Sequence, residues 1–342
     1  QHFFHENLGD GTFKPRQING LQDQHQSRAL ITDINNDQVD DIVLFGPLSV
    51  WLGNGDFTFT DITAQLPAHI TNLKGIMAVT DIDIDNDGDL DLYLARGKEF
   101  EGGFGESPSL DHDPITKELS IKPRGYKGTD AFDFQADGEV KLHSYYYLAQ
   151  GTFRGKDYPV FLGKNKSQQT LANGDELIFN QAQSQGWPDD ISNNGIYFGH
   201  IKNGQWKAAL VRDGDIFWGF NFSLSGVNSV TPEFEPENRN SQDILLRNDG
   251  GRFTDVTDMW NIPKGVNSLG VTVGDFNNDS FQDLFVYRWG NINKRISDYM
   301  LLNDGNGQFQ TVTMHGANDV GGPGNGDMGQ AFDFDLDGDV DL

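Results

Sequence analysis

The chain has 342 residues, enough for a large core in one repeat fold or in two domains. With 25 Lys and Arg against 51 Asp and Glu it carries a net charge of −26, which argues against nucleic acid or an anionic membrane as partner. It has no cysteine, so disulfides cannot report its compartment. It also lacks an apolar run of the ~18 residues that a bilayer-crossing helix needs, so no membrane insertion is expected.

Taken in chain order, Asn7-Leu-Gly-Asp-Gly-Thr-Phe13 reads as a turn followed by the start of a strand. The next segment, Asp33-Ile-Asn35-Asn-Asp37-Gln-Val39-Asp-Asp41, is an acidic loop with an apolar strand on each side, followed by a hairpin over residues 52–63. The loop recurs in its most regular form at Asp83-Ile-Asp85-Asn-Asp87-Gly-Asp89-Leu-Asp91, with carboxylates at positions 1, 3, 5 and 9 and glycine at position 6. Side chains at 1, 3 and 5 of a tight turn converge on one point. The glycine permits the positive-φ bend that returns the carboxylate at 9 to that point. Acidic groups so crowded repel one another unless a cation lies between them, and Ca²⁺, which tolerates irregular shells of six to eight oxygens, suits the set.

Residues 99–127 read as a long surface loop, and residues 139–231 as strands without acidic loops. Between them Asp133-Phe-Gln135-Ala-Asp137-Gly138-Glu-Val-Lys141 is a weak copy. Lys141 replaces its position-9 acid, so no calcium is expected there. The full loop returns at Asp275-Phe-Asn277-Asn-Asp279-Ser-Phe281-Gln-Asp283, with a hairpin over 301–309, and again at Asp333-Phe-Asp335-Leu-Asp337-Gly-Asp339-Val-Asp341.

First aspartates at 33, 83, 133, 275 and 333 are spaced by 50, 50, 142 and 58 residues. Few windows show a helical period, so the fold is all-β. A repeat of this length built from short strands suggests a β-propeller of four-stranded blades. The long gap holds three blade lengths, which gives a seven-bladed ring, or fewer blades and an insertion. The chain begins with a hairpin that lacks a loop and ends on a loop that lacks its hairpin. Pairing of the N- and C-terminal strands is therefore expected to close the ring and remove exposed edges. The expected divisions are calcium-loop blades over 1–98, divergent blades or an inserted β subdomain over 99–242, and calcium-loop blades with ring closure over 243–342.

The unit from Gly274 through Asp283, followed by Asn303-Asp-Gly-Asn-Gly-Gln-Phe309, resembles the FG-GAP/VCBS repeats of integrin α-subunit propellers and of bacterial secreted proteins. Leu246-Arg-Asn-Asp-Gly-Gly-Arg-Phe-Thr-Asp-Val-Thr257 is similar to the blade-closing hairpin of the cartilage-acidic-protein-like bacterial branch. The resemblance covers residues 1–98 and 243–342. It implies a propeller of about seven blades with calcium held by positions 1, 3, 5 and 9 and by the backbone carbonyl at 7. Carried over, the side-chain ligands are Asp33, Asn35, Asp37 and Asp41; Asp83, Asp85, Asp87 and Asp91; Asp275, Asn277, Asp279 and Asp283; and Asp333, Asp335, Asp337 and Asp341. The carbonyls are those of Val39, Asp89, Phe281 and Asp339.

These ions are expected to be structural, tying two strands of each blade together. Millimolar extracellular calcium would fill such loops, and a chain starting at Gln1 fits a mature form after signal removal or a trimmed one, so export is expected. The eight histidines show no metal-binding spacing, and no nucleophile elbow or phosphate loop appears. Tyr145–Tyr147, Trp187, Tyr197, Trp206, Phe217, Trp218, Phe220, Tyr287 and Trp289 read either as packing between blades or as a platform for sugar rings. Two functions follow. The first is a monomeric, exported, calcium-stabilised module for adhesion that binds a polysaccharide or a protein surface. The second is a polysaccharide lyase or glycoside hydrolase on the same scaffold. A lyase would need a cluster such as His143, Tyr146, His200, Arg212 and Tyr287, and a hydrolase a pair of carboxylates that the sequence does not single out.

Overall fold

A computed structural model describes residues 3–17, 28–97, 109–122, 127–146, 158–172, 174–213, 221–234, 242–265, 268–288, 297–317 and 328–342. The described residues are almost wholly β, with one 3₁₀ turn at Thr63–Gln65. The first hairpin, β1 (Phe3–Asn7) and β2 (Phe13–Gln17), forms a two-stranded sheet. The first blade is a meander of β3 (Arg28–Thr32), β4 (Asp41–Phe45), β5 (Ser49–Gly53) and β6 (Phe59–Asp61). The second blade opens with β7 (Ile76–Ile82) and β8 (Asp91–Arg96) and is then interrupted.

The interruption is an antiparallel-rich sheet of nine strands. They are β9 (Ser109–Asp113), β10 (Glu118–Lys122), β11 (Lys127–Tyr146), β12 (Tyr158–Leu162), β13 (Ser167–Leu171), β14 (Glu176–Phe179), β15 (Gly195–Lys202), β16 (Gln205–Asp213) and β17 (Asn221–Pro232). The second blade then resumes with β18 (Ile244–Asp249) and β19 (Arg252–Asp255), and β18 pairs with β8 by setting Ile244 opposite Leu94 and Leu246 opposite Leu92. The third blade comprises β20 (Ser268–Gly274), β21 (Asp283–Arg288), β22 (Tyr299–Asn303) and β23 (Phe309–Val312). A single bridge, Phe332 to Asp341, follows.

The second strand of each blade is a continuous apolar run because both of its faces are covered. β4, β8 and β21 are buried almost end to end. Successive side chains of β8 point to opposite faces. Leu92 and Leu94 therefore join Val43 and Val50 in the core between the first two blades. Tyr93 and Ala95 join Leu284, Val286 and Leu301 in the core between the second and third. Each buried Val, Leu or Ile among them contributes ~1.5–3 kcal/mol on full burial, so the blades are held face to face by apolar packing.

Of the two alternatives for the gap before Asp275, the described residues show the insertion: a sheet enters between the second and third strands of one blade, and three complete four-stranded blades lie among the described residues. Other expectations are corrected. The weak copy Asp133–Lys141 is no loop. It lies inside the long strand β11, where a register shift falls between Ala136 and Lys141. Residues 99–127 are not one loop, because β9 and β10 pair within them. Among the described residues β1 and β2 pair only with each other, and nothing pairs them with the Phe332–Asp341 bridge. The hairpin instead packs on the first blade, with Phe4 stacked 5.9 Å from Phe59.

Candidate metal centres

Three of the acidic loops join the first and second strands of a blade, the fourth is closed by the Phe332–Asp341 bridge, and the turns of all four are built alike. The position-1 carboxylate accepts two backbone N–H groups of its own turn. Asp33 takes those of Asp37 at 3.0 Å and Gln38 at 2.7 Å, and Asp83 those of Asp87 at 3.2 Å and Gly88 at 3.1 Å. Asp275 and Asp333 do the same from positions 5 and 6. The position-5 carboxylate accepts the N–H of position 7, at 2.9 Å in all four loops, from Val39, Asp89, Phe281 and Asp339. Short acidic side chains that bond their own backbone two to five residues on fold this turn locally.

Position 9 reaches further. One oxygen of Asp41, Asp91 and Asp283 accepts the N–H of position 2, from Ile34, Ile84 and Phe276, each at 2.9 Å. The other oxygen accepts an N–H from the end of the blade's third strand: Gly53 at 2.7 Å, Asn248 at 2.7 Å and Asn303 at 2.8 Å. These carboxylates are 0, 1 and 0 % exposed. Asp341 keeps only the first of the two bonds, from Phe334 at 3.0 Å, and is exposed, as is Phe334. The third-strand residues that cover position 9 in the other loops have no counterpart beside it among the described residues.

The carboxylate oxygens of Asp83, Asp85 and Asp91 lie within 4.8 Å of one another, and so do those of Asp333, Asp335 and Asp341. The first and third loops carry an amide at position 3. There Asn35 and Asn277 donate to Asp37 and Asp279 at 3.0 and 2.9 Å. Burial, reinforced by the charges of Asp85 and Asp87, pushes Asp91 up to about 7. Burial likewise pushes Asp283 up to about 6 and raises Asp41 and Asp85. Converged, partly buried carboxylates resist ionisation unless a positive charge joins them. The donors are hard oxygens, so the residues present fit a hard divalent cation such as Ca²⁺ better than a soft metal.

The loops also touch one another. Asn86 donates to the Ser280 carbonyl at 3.2 Å, the Asp83 N–H donates to Gln282 at 2.8 Å, and Asn278 donates to Asp339. Asn248 and Asn303 link successive blades through their side chains. Each donates at 2.8 Å to the position-2 carbonyl of the preceding loop, Ile34 and Ile84 respectively. The sequence marks these two residues only as turn formers. The signal that could have found them is the repeated Asn-Asp-Gly at the end of a third strand.

The other candidate side chains do not assemble. Arg212 is buried against Asp130 on the inserted sheet, His200 packs edge-on to Trp206 at 5.2 Å, and Tyr287 lies on the third blade. His143 lies on β11, and the side chain of Tyr146 falls outside the described residues. Tyr197 and Trp206 are core residues and Trp187 is half-buried. Phe217, Trp218, Phe220 and Trp289 lie outside the described residues, as do the side chains of Tyr145 and Tyr147.

Residues 33–94 and 230–286 match the family model of an FG-GAP-like repeat, together about a third of the chain. The first match spans the first two acidic loops and the second spans the third, while the loop at 333–341 lies beyond both. No curated protein matches the chain.

Proposed function

From two FG-GAP-like repeat regions on an all-β array of propeller-type blades, we propose that this chain is an exported, calcium-stabilised, non-catalytic binding module. The blades form its scaffold, and the inserted sheet presents the surface that meets a glycan or protein ligand. One observation carries the calcium reading: four loops repeat a single hydrogen-bonded geometry, and two of them gather three carboxylates within 4.8 Å. Ligation would fall to the side chains at positions 1, 3, 5 and 9, from Asp33 to Asp41, Asp83 to Asp91, Asp275 to Asp283 and Asp333 to Asp341. The carbonyls of Val39, Asp89, Phe281 and Asp339 would complete each shell. The bound ion supplies positive charge between carboxylates that otherwise repel, and so ties the first strand of a blade to its second.

The test is an ion count on desalted protein combined with thermal unfolding. Calcium should bind at the acidic loops, and Asp87→Ala should lower the count by about one ion. Each site filled at about 100 times its Kd adds about 2.7 kcal/mol, so EGTA should lower the Tm by many degrees. An unchanged Tm in EGTA removes the structural role, and an unchanged ion count in Asp87→Ala removes the assignment of that loop.

A further inference from the structure

Strands β15, β16, β11 and β17 run side by side in the inserted sheet. Alternate side chains of such strands point to opposite faces. Phe134, Trp206 and Val230 fall on the core side. Their neighbours Asp133, Gln135, Gln205, Ser229 and Thr231 fall on the other, in rows fixed by the register: Gln135 is opposite both Gln205 and Ser229, and Asp133 is opposite both Lys207 and Thr231. Together with Ile201, and with Phe134 and Trp206 also reaching its wall, they line a cleft of about 360 Å³. That is the lower end of the range for small-ligand sites, ~300–1,000 Å³.

Three features define what the cleft can take. Among the described residues none of the five polar side chains is hydrogen-bonded to the protein, in contrast to the doubly bonded carboxylates of Asp41, Asp91 and Asp283 in the blade loops. Two amides and two hydroxyls both donate and accept, and one carboxylate accepts, which is the complement of vicinal hydroxyl groups. Neighbouring charges are already paired, Lys207 with Glu233 and Arg212 with Asp130, and Asp133 makes no ion pair among the described residues. On a chain of net charge −26, a carboxylate in the cleft repels phosphate, sulfate and uronate ligands. Trp187 borders the same face. It lies over Gly199, which is opposite Lys207, and a Cβ at that glycine would stand 2.9 Å from the indole. The Lys207 ammonium sits 5.7 Å from the ring centroid.

We propose that this cleft on the open face of the inserted sheet binds a neutral, hydroxyl-rich carbohydrate. The proposal rests on the reading of the chain as a binding module and gives it a site and a ligand class. The test uses the full chain with calcium present. It is titrated calorimetrically with maltotriose, cellotriose, mannotriose and, as the charged control, trigalacturonate. At least one neutral trisaccharide should bind and the uronate should not. The double variant Asp133→Ala, Gln205→Ala should weaken binding about tenfold or more while leaving the Tm unchanged, since both side chains are exposed and unpartnered. Full binding by the double variant overturns the site. Binding of the uronate with no neutral sugar overturns the ligand class and leaves the binding-module reading intact. An absence of heat from all four overturns the proposal, whereas the calcium scaffold stands or falls on its own ion count.

Discussion

At position 6 of each acidic loop the backbone turns to positive φ, and two loops do so with a side chain, Gln38 at 68° and Ser280 at 72°. Gly88 and Gly338 make the same bend at 90° and 98° without a Cβ. A left-handed non-glycine residue costs roughly 1–2 kcal/mol, partly offset by the greater entropy that glycine loses on folding. Gln38→Gly should therefore raise stability by about 0.5–1 kcal/mol in urea unfolding, and a loss of stability would show that the bend is not strained. The buried Asn248 is the opposite case. Its side chain satisfies the carbonyls of Ile34 and Leu90 and the N–H of Gly251. Asn248→Ala strands these groups between two blades and should cost about 1–3 kcal/mol by the same measurement. The loops were legible in the sequence because their bonds run two to five residues along the chain, within the reach of a local pattern. The asparagine link was not, since its acceptor belongs to another blade.

At the scale of elements, short apolar strands and Asn/Gly turns announced the blades, but the sequence left open where the fifty-residue rhythm broke. The pairing of Leu94 with Ile244 closes a blade across the whole insertion, and nothing in either strand advertises its partner. The long strand β11 carries an acidic pattern that resembles a loop, yet Asp133 and Asp137 are exposed on a sheet there. The inserted sheet is also tied down by a contact invisible to local reading. Arg288 on the third blade, fully buried, meets the buried carboxylate of Asp113 on β9 at 3.0 Å and lies 5.2 Å from the ring of Tyr299. Removing one partner of a buried pair leaves an uncompensated charge and costs about 3–5 kcal/mol. Asp113→Ala should lower stability by that order and hasten proteolysis near β9. The paired replacement Asp113→Leu, Arg288→Met should recover much of the loss. If the single variant unfolds like the parent protein, the pair does not anchor the insertion.

For the whole molecule, charge and burial act in the same direction. Burial pushes Asp91 up to about 7, and Asp243 and Asp283 up to about 6, from an ordinary value of 3.8. Asp243 is enclosed between the second and third blades, where it accepts from Tyr93 at 2.7 Å and Ser268 at 2.6 Å. In the calcium-free protein the folded state then holds protons that the unfolded chain has released. The stability these groups contribute is fully present below pH 3.8 and is lost as pH rises through about 6 to 7. Repulsion within a chain of net charge −26 adds to that loss. Calcium at the loops would substitute for the protons on Asp91 and Asp283 and reverse the trend, because binding demands the ionised carboxylates. In EGTA the Tm should therefore be higher at pH 5.5 than at pH 7.5, and saturating calcium should raise it far more at pH 7.5 than at pH 5.5. Thermal unfolding at the two pH values, with and without the ion, reads this directly. A calcium-free protein that gains stability across the window would mean that the loop carboxylates are ionised without help, and that no cation is needed to hold the blades together.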